Sequence, residues 1–274
     1  MRIKNIVFGM LFIPVFLSPG HTKAGKNTVV RQTDKNGLTQ TVAADIYRQF
    51  LSEHTVLHTA DNPDLETVNR IGNRIIMAVK NYYAARKASK ELEGFNWEIS
   101  FIQFSKVDAW CLPGGKIAVY SALLPVTQSD ASLAAVLAHE IAHVMLQHGD
   151  PRIKQYLKEF LHEKDLATAI GSKPKETKDF YRMAYGNGDY IGVIRGFDTK
   201  DEMQADELGC LFAALAGYNP TDAIVFWERM GRLNGTGRQP ELLSTHPVDE
   251  KRLEHLKEIM DGILQYYGKP IKKN

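Results

Sequence analysis

The sequence predicts an α+β fold that is mostly helical and carries one small β-sheet. Long stretches place apolar residues three and four apart, one central region alternates apolar and polar residues, and no internal repeat is present. The 274 residues are 44% hydrophobic and 24% charged, enough for a substantial core in one large domain or two small ones. With 34 basic and 32 acidic residues the chain has no charge excess suited to nucleic acid.

The elements follow in order. Residues 1–24 have a basic start (MRIKN), an apolar stretch too short to span a membrane, and small residues before Gly25, the layout of a cleaved signal peptide. Residues 25–40 are polar and expected to be loose, and a folded domain is expected over 41–268, followed by a short basic tail, 269–274. Helical periodicity runs from about Ala43 to Leu57. It resumes from Leu65 to Lys87, with Val68, Ile71, Ile75, Ile76, Val79 and Tyr83 as one stripe. FNWEISFIQF (95–104) alternates as a half-buried strand does, and two further strand-like runs flank the Leu112-Pro113-Gly114-Gly115 turn. A helix is expected over 131–147 with Asp130 as N-cap, His148 near its negative end and Gly149 as its stop. The 151–178 stretch is amphipathic and broken at GSKPK, and four glycines in residues 186–196 mark a mobile loop. Helices then follow at about 199–217, 220–233 and 247–267.

One stretch poses a chemical question. AVLAHEIAHVML (135–146) sets His139, Glu140 and His143 in a helix with no wide polar face, the pattern of a buried helix. Three buried ionisable groups without partners would cost several kcal/mol, so they must be paired, neutralised or bound to a metal. Residues four apart share one helix face, so His139 and His143 can direct both imidazoles at one ion. Glu140 is then set to take a proton from a water at that ion. This H-E-x-x-H spacing is that of zinc metallopeptidase helices. His54 and His58 share the four-residue spacing without the glutamate and read as ordinary, partly exposed residues of a helix. A catalytic zinc needs a third protein ligand, for which Glu202 is the candidate, with Asp206 one turn on as the acceptor that fixes a ligand histidine. Thr199 with Glu202 also fits a capping box, so both readings of Glu202 stand.

Four blocks together, LPGGKIAVYSALL (112–124), HEIAH (139–143), the E-x-x-A-D-x-x-G of Glu202 to Gly209, and STHP (244–247), resemble the HtpX and CAAX prenyl protease family of zinc metalloendopeptidases. The match spans about residues 60–260 and points to its soluble, exported BepA- and LoiP-like branch. The resemblance implies a zincin-like (gluzincin) domain with a small, mainly antiparallel sheet packed on the active-site helix. It implies one Zn2+ per chain held by His139, His143 and Glu202, with Glu140 as acid/base. It assigns Gly115, Lys116, Ile117, Ala118 and Val119 to an edge strand that receives extended substrate, and His246 to the oxyanion formed at the attacked carbonyl. His246 is alternatively a resting-state zinc ligand, or simply precedes a helix with Pro247 at N1. Arg252 holds this loop or an acidic partner, or is a solvated helix residue. The sequence departs from the family at Asp108, where asparagine is usual, and at Asp198-Thr199, where Ser-Arg is usual.

The expected partner is unfolded or extended polypeptide, entering a cleft covered by the 151–184 segment and the glycine-rich loop, with a role in envelope or secreted-protein quality control. Two other readings remain: a zinc-stabilised, chaperone-like polypeptide-binding module, and a metal-dependent hydrolase of another substrate. Cys111 and Cys210 are either a disulfide or two buried small hydrophobes.

Overall fold

The computed structural model describes residues 38–58, 62–150, 158, 161–184, 197–233 and 240–269. The expected leader, the glycine-rich loop and the tail beyond residue 269 lie outside them. All described residues fall in one unit, Asn36–Asn274.

Helix α1 (Leu38–Glu53) buries Val42, Ile46, Tyr47 and Phe50. It ends before His54, whose ring stacks on Phe50 at 4.0 Å, so His54 and His58 do not share a helix face. Helix α2 (Pro63–Ala85) starts at Asn62, whose side chain accepts from the N–H groups of Asp64 and Leu65, and Pro63 suits the first turn because it has no N–H to satisfy. Its apolar stripe is buried as expected, except that Tyr82 is the buried tyrosine and Tyr83 only half-buried.

The strands β1 (Glu98–Ile102), β2 (Ala109–Leu112) and β3 (Lys116–Tyr120) form a sheet in the order β1-β3-β2. The sheet is mixed rather than mainly antiparallel. The Leu112–Gly115 turn, with Gly114 and Gly115 at φ 83° and 81°, folds β2 back on β3 as a hairpin. The link from β1 passes β3 before entering β2, which leaves β1 parallel to β3, with Glu98 opposite Lys116 and Ile102 opposite Tyr120. The Lys116–Tyr120 run is therefore the central strand and not an edge. Both of its sides are paired, and the Lys116 ammonium is held by Asn96 O at 2.7 Å and Glu98 at 3.1 Å. Residues 55–57 cover the outer side of β1 through Leu57 N–H to Phe101 O and Gln103 N–H to Thr55 O. Of the sheet's two edges, β2 is the one lying against the helix that carries His139.

A single turn, α3 (Leu124–Thr127), leads to that helix, α4 (Asp130–Met145). Its N-cap is Ser129, which accepts from Ser132 N–H at 3.0 Å; Asp130 is the first helical residue. Its stop is Gln147, with φ 60°, and not Gly149. Helices α5 (Leu166–Ser172) and α6 (Pro174–Ala184) are separated at Lys173, where the proline ends the preceding helix. The described part of this segment lies against α1, with Lys178 3.7 Å from Asp45. Helix α7 (Thr199–Leu215) is capped by Asp198, which accepts from Asp201 N–H, and not by Thr199. It packs along α4 with Gly209 at the crossing, where a Cβ would come within 2.9 Å of the His139 backbone. Helix α8 (Asp222–Leu233), the short α9 (Glu241–Thr245) and α10 (Glu250–Leu264) complete the order. Asp249 caps α10, so Pro247 precedes the helix and does not occupy its first position. No described helix is long and apolar enough to cross a membrane.

Candidate metal centre

The helical period of α4 puts His139 and His143 on the face turned to α7, their Nε2 atoms 3.0 Å apart and both rings buried. Asp198 starts α7 so that Glu202, in its first turn, faces them. The Glu202 carboxylate lies 3.4 Å from His139 Nε2 and 3.5 Å from His143 Nε2. The end of α9 brings in His246, whose Nδ1 is 3.0 Å from Glu202 Oε1 and 3.3 Å from His139 Nε2. One donor atom from each of these four residues lies within 4.8 Å of the others.

This set fits a metal ion. Nitrogen or oxygen donors about 2.0–2.1 Å from a tetrahedral zinc are separated by roughly 3.4 Å. Five of the six pairs, taking the nearer Glu202 oxygen in each, are 3.0 to 3.5 Å apart, and all four donors fall within 4.8 Å of one another. The donor types, three imidazoles and a carboxylate, are those zinc accepts. With His246 included the set is closed, whereas a catalytic site keeps one position open. The structure thus places His246 within the donor group. Its Nε2 is also 3.4 Å from Glu140 Oε1, an oxygen that makes no hydrogen bond among the described residues.

The surrounding groups fix the donors. Asp206 Oδ1 is 2.9 Å from His139 Nδ1, off-line for a good hydrogen bond but close enough to favour a proton there and leave Nε2 for the ion. Arg252, fully buried, grips Asp206 with Nε and Nη2 at 2.7 and 2.9 Å and donates to Pro247 O at 3.1 Å. Its Nη1 is 2.6 Å from Glu202 Oε2, an ion pair short of hydrogen-bond alignment. The guanidinium lies 3.9 Å over the Trp227 ring, so Arg252 is no solvated helix residue but the clamp joining α7, α10 and the His246 loop. Phe197 stacks on His143 at 4.0 Å and bonds through its N–H to Thr245 O.

Burial disfavours charge throughout the site, and neighbours decide which groups resist it. Burial would depress His139, but Asp206 and then Glu202 raise it to about 9. Burial and the His139 charge push His143 well below its usual value. Burial lowers His148 to about 4. Burial raises the Glu140 carboxyl above its usual value against the opposing pull of His246 and His139. For Glu202 and Asp206 burial is outweighed, above all by the Arg252 charge, and both stay in the ionised range.

Of the residues picked from sequence, His139, Glu140, His143, Glu202, Asp206, His246 and Arg252 meet at this centre. Gly115 to Val119 do not reach it as an edge. Cys111 and Cys210 are separate, buried free thiols and form no disulfide. Trp227, Phe197, His148 and Gln204 were missed, because they arrive from other segments or from past the helix end with no spacing to mark them.

A helix bearing H-E-x-x-H, a glutamate from a crossing helix and a small sheet above them define a zincin-like metallohydrolase. The chain matches the model of peptidase family M48 over residues 71–260. It belongs to that family, as a metalloendopeptidase domain. It is 33% identical over 187 residues to the mitochondrial metalloendopeptidase OMA1 of Arabidopsis thaliana, a match covering 67% of this chain and 36% of that protein. With the OMA1 of Schizosaccharomyces pombe the identity is 29% over 219 residues, 79% of this chain and 59% of that protein. With the beta-barrel assembly-enhancing protease of Escherichia coli it is 28% over 164 residues, 56% of this chain and 32% of that protein. The matches thus span between about a third and three-fifths of these relatives' own lengths.

Proposed function

We propose that the chain is a zinc-dependent endopeptidase that hydrolyses peptide bonds in unfolded or extended polypeptide. The observation that carries this is Glu140, a buried carboxyl beside a converging His139, His143 and Glu202 donor set. His139, His143 and Glu202 would hold the ion, which when bound acidifies water and polarises a carbonyl. Glu140 takes the proton of the attacking water and returns it to the leaving nitrogen. His246, freed from the donor set, turns its ring to the developing oxyanion.

The strand that receives substrate in this reading is β2. Tyr120 N–H bonds Asp108 O, and the antiparallel alternation from that pair turns the main-chain groups of Ala109 and Cys111 away from β3. β2 packs on α4, the helix that carries Glu140, and a peptide added there would displace the Asp108 carboxylate from Ala109 N–H, to which it is bonded at 2.9 Å. The His246 position favours a resting form that opens before cleavage, and on this point the reading approaches a latent binding module.

The test uses the chain from Gly25 loaded with zinc, with an unfolded model protein as substrate. Wild type should cut, Glu140→Gln of equal metal content should not, and His246→Ala separates its two roles by cutting faster if latency dominates. A substrate left intact by both zinc-loaded wild type and zinc-loaded His246→Ala would sink the peptidase reading. Export and a role in envelope or secreted-protein quality control, as in the BepA- and LoiP-like branch, rest on the 1–24 pattern, whereas the OMA1 relatives are mitochondrial. N-terminal sequencing of the protein made in a bacterial host checks this, a start at Met1 counting against it.

A further inference from the structure

We infer that His148, held by Gln204, is a positioning residue that fixes which nitrogen of His143 faces the metal. The inference rests on the metal-centre reading above and concerns side chains outside the donor set.

Local structure puts His148 there. Gln147 adopts φ 60°, and the chain reverses so that His148 N–H bonds His143 O at 3.1 Å while Gln147 N–H bonds Val144 O at 3.1 Å. These two bonds are the left-handed termination that closes many helices. At such ends the residue after the reversal, here His148, frequently makes an apolar contact. Its side chain is an imidazole, 7% exposed, laid beside the ring of the last helical histidine.

The contact has one consistent proton assignment. His143 Nδ1 and His148 Nδ1 are 2.9 Å apart, so one donates and the other accepts. If His143 gives its Nε2 lone pair to an ion, its proton is on Nδ1, and His148 Nδ1 is the acceptor. His148 then carries its own proton on Nε2, which faces Gln204 Oε1 at 3.2 Å with Asp201 Oδ1 at 3.8 Å. The relay runs from His143 Nδ1–H to His148 Nδ1, and from His148 Nε2–H to Gln204 Oε1. The reverse tautomer of His148 would leave its Nε2 as an acceptor facing the Gln204 and Asp201 oxygens.

Helix α7 therefore supports both histidines of α4, His139 directly through Asp206 and His143 through Gln204 and His148. The two supports differ in charge. His139 has an anion behind it, whereas His143 has a neutral ring.

Two measurements test this. In zinc-loaded protein with 15N-labelled histidine, long-range 1H–15N NMR should find His143 protonated at Nδ1 and His148 at Nε2; the opposite tautomer on either ring overturns the inference. Zinc affinity, read by competition with a chromophoric chelator, should fall about 10- to 100-fold in His148→Phe, the usual effect of losing such a partner. His148→Asn, whose Oδ1 sits near the Nδ1 position, should restore most of it, an effect that loss of helix packing alone would not produce. Affinity unchanged in His148→Phe, or equally low in the Asn variant, rejects the role while leaving the metal-centre reading intact. Wild type that holds no zinc rejects both.

Discussion

Replacing Arg252 with methionine tests the electrostatic design of the site. The guanidinium is fully buried and is the cation held between Asp206 and Glu202, two carboxylates that are themselves at most 2% exposed. Removing one partner of a buried ion pair leaves the other charge uncompensated and costs about 3–5 kcal/mol. Here one guanidinium serves two anions that the His139 ring, raised to about 9 in the metal-free protein, also faces, so the whole of that range applies. At about 2–4 °C per kcal/mol for a domain of this size, the melting temperature should drop by roughly 6–20 °C. The assay is thermal and urea unfolding of chelator-treated protein, with Arg252→Lys falling between because it keeps a charge but loses the two-pronged grip on Asp206. The cost comes from a stranded carboxylate, so adding Asp206→Asn to the methionine variant should return part of the stability. An Arg252→Met protein within 1 kcal/mol of wild type, or a double variant losing the sum of both single effects, would refute the reasoning.

Three further outcomes are expected. Burial, and secondarily Glu140, hold the Asp108 carboxyl well above its usual pKa, and its Oδ2 has no hydrogen-bond partner among the described residues. The unfolded chain loses this proton first, so stability falls as pH rises from the ordinary carboxylate range to the folded-state value. Asp108→Asn should flatten that slope in urea titrations across pH, and an unchanged slope contradicts it. Gly209→Ala puts a Cβ against the His139 backbone, so α4 and α7 must separate, costing about 1–3 kcal/mol and weakening metal binding together. A variant equal to wild type in both unfolding and chelator competition would show that the crossing is looser than described. Finally, without reductant no thiol should react in the folded protein and both should react in denaturant, since Cys111 and Cys210 are buried and unpaired; no titratable thiol at all would mean a disulfide.

Much of the site was legible because its signals are local. His139, Glu140 and His143 lie within five residues and were marked by the conflict between their ionisable groups and the apolar helix around them. Glu202 and Asp206 share one turn of another helix, and periodicity placed most helices within a few residues of their observed bounds. Caps were harder: Ser129 and Asp198 act where Asp130 and Thr199 were expected, and Asp249 caps a helix whose first position was assigned to Pro247, because neighbouring residues suit the same role and only backbone angles choose between them.

By itself the sequence determined the helical character, the metal-binding motif and the family blocks, all properties of short spacings. Only the tertiary structure decided strand order. The short apolar run of β3 reads the same at an edge or in the middle, and a parallel β1 on its far side is a matter of chain path. Only the tertiary structure decided that His246 joins the donors, that Arg252 is a buried clamp rather than a solvated side chain, and that the cysteines stay apart. Those contacts link residues from 44 to 107 positions apart, where no local periodicity reports on proximity. The reversal at Gln147 that sets His148 behind His143 is local in sequence, yet its meaning depends on Gln204 arriving from α7.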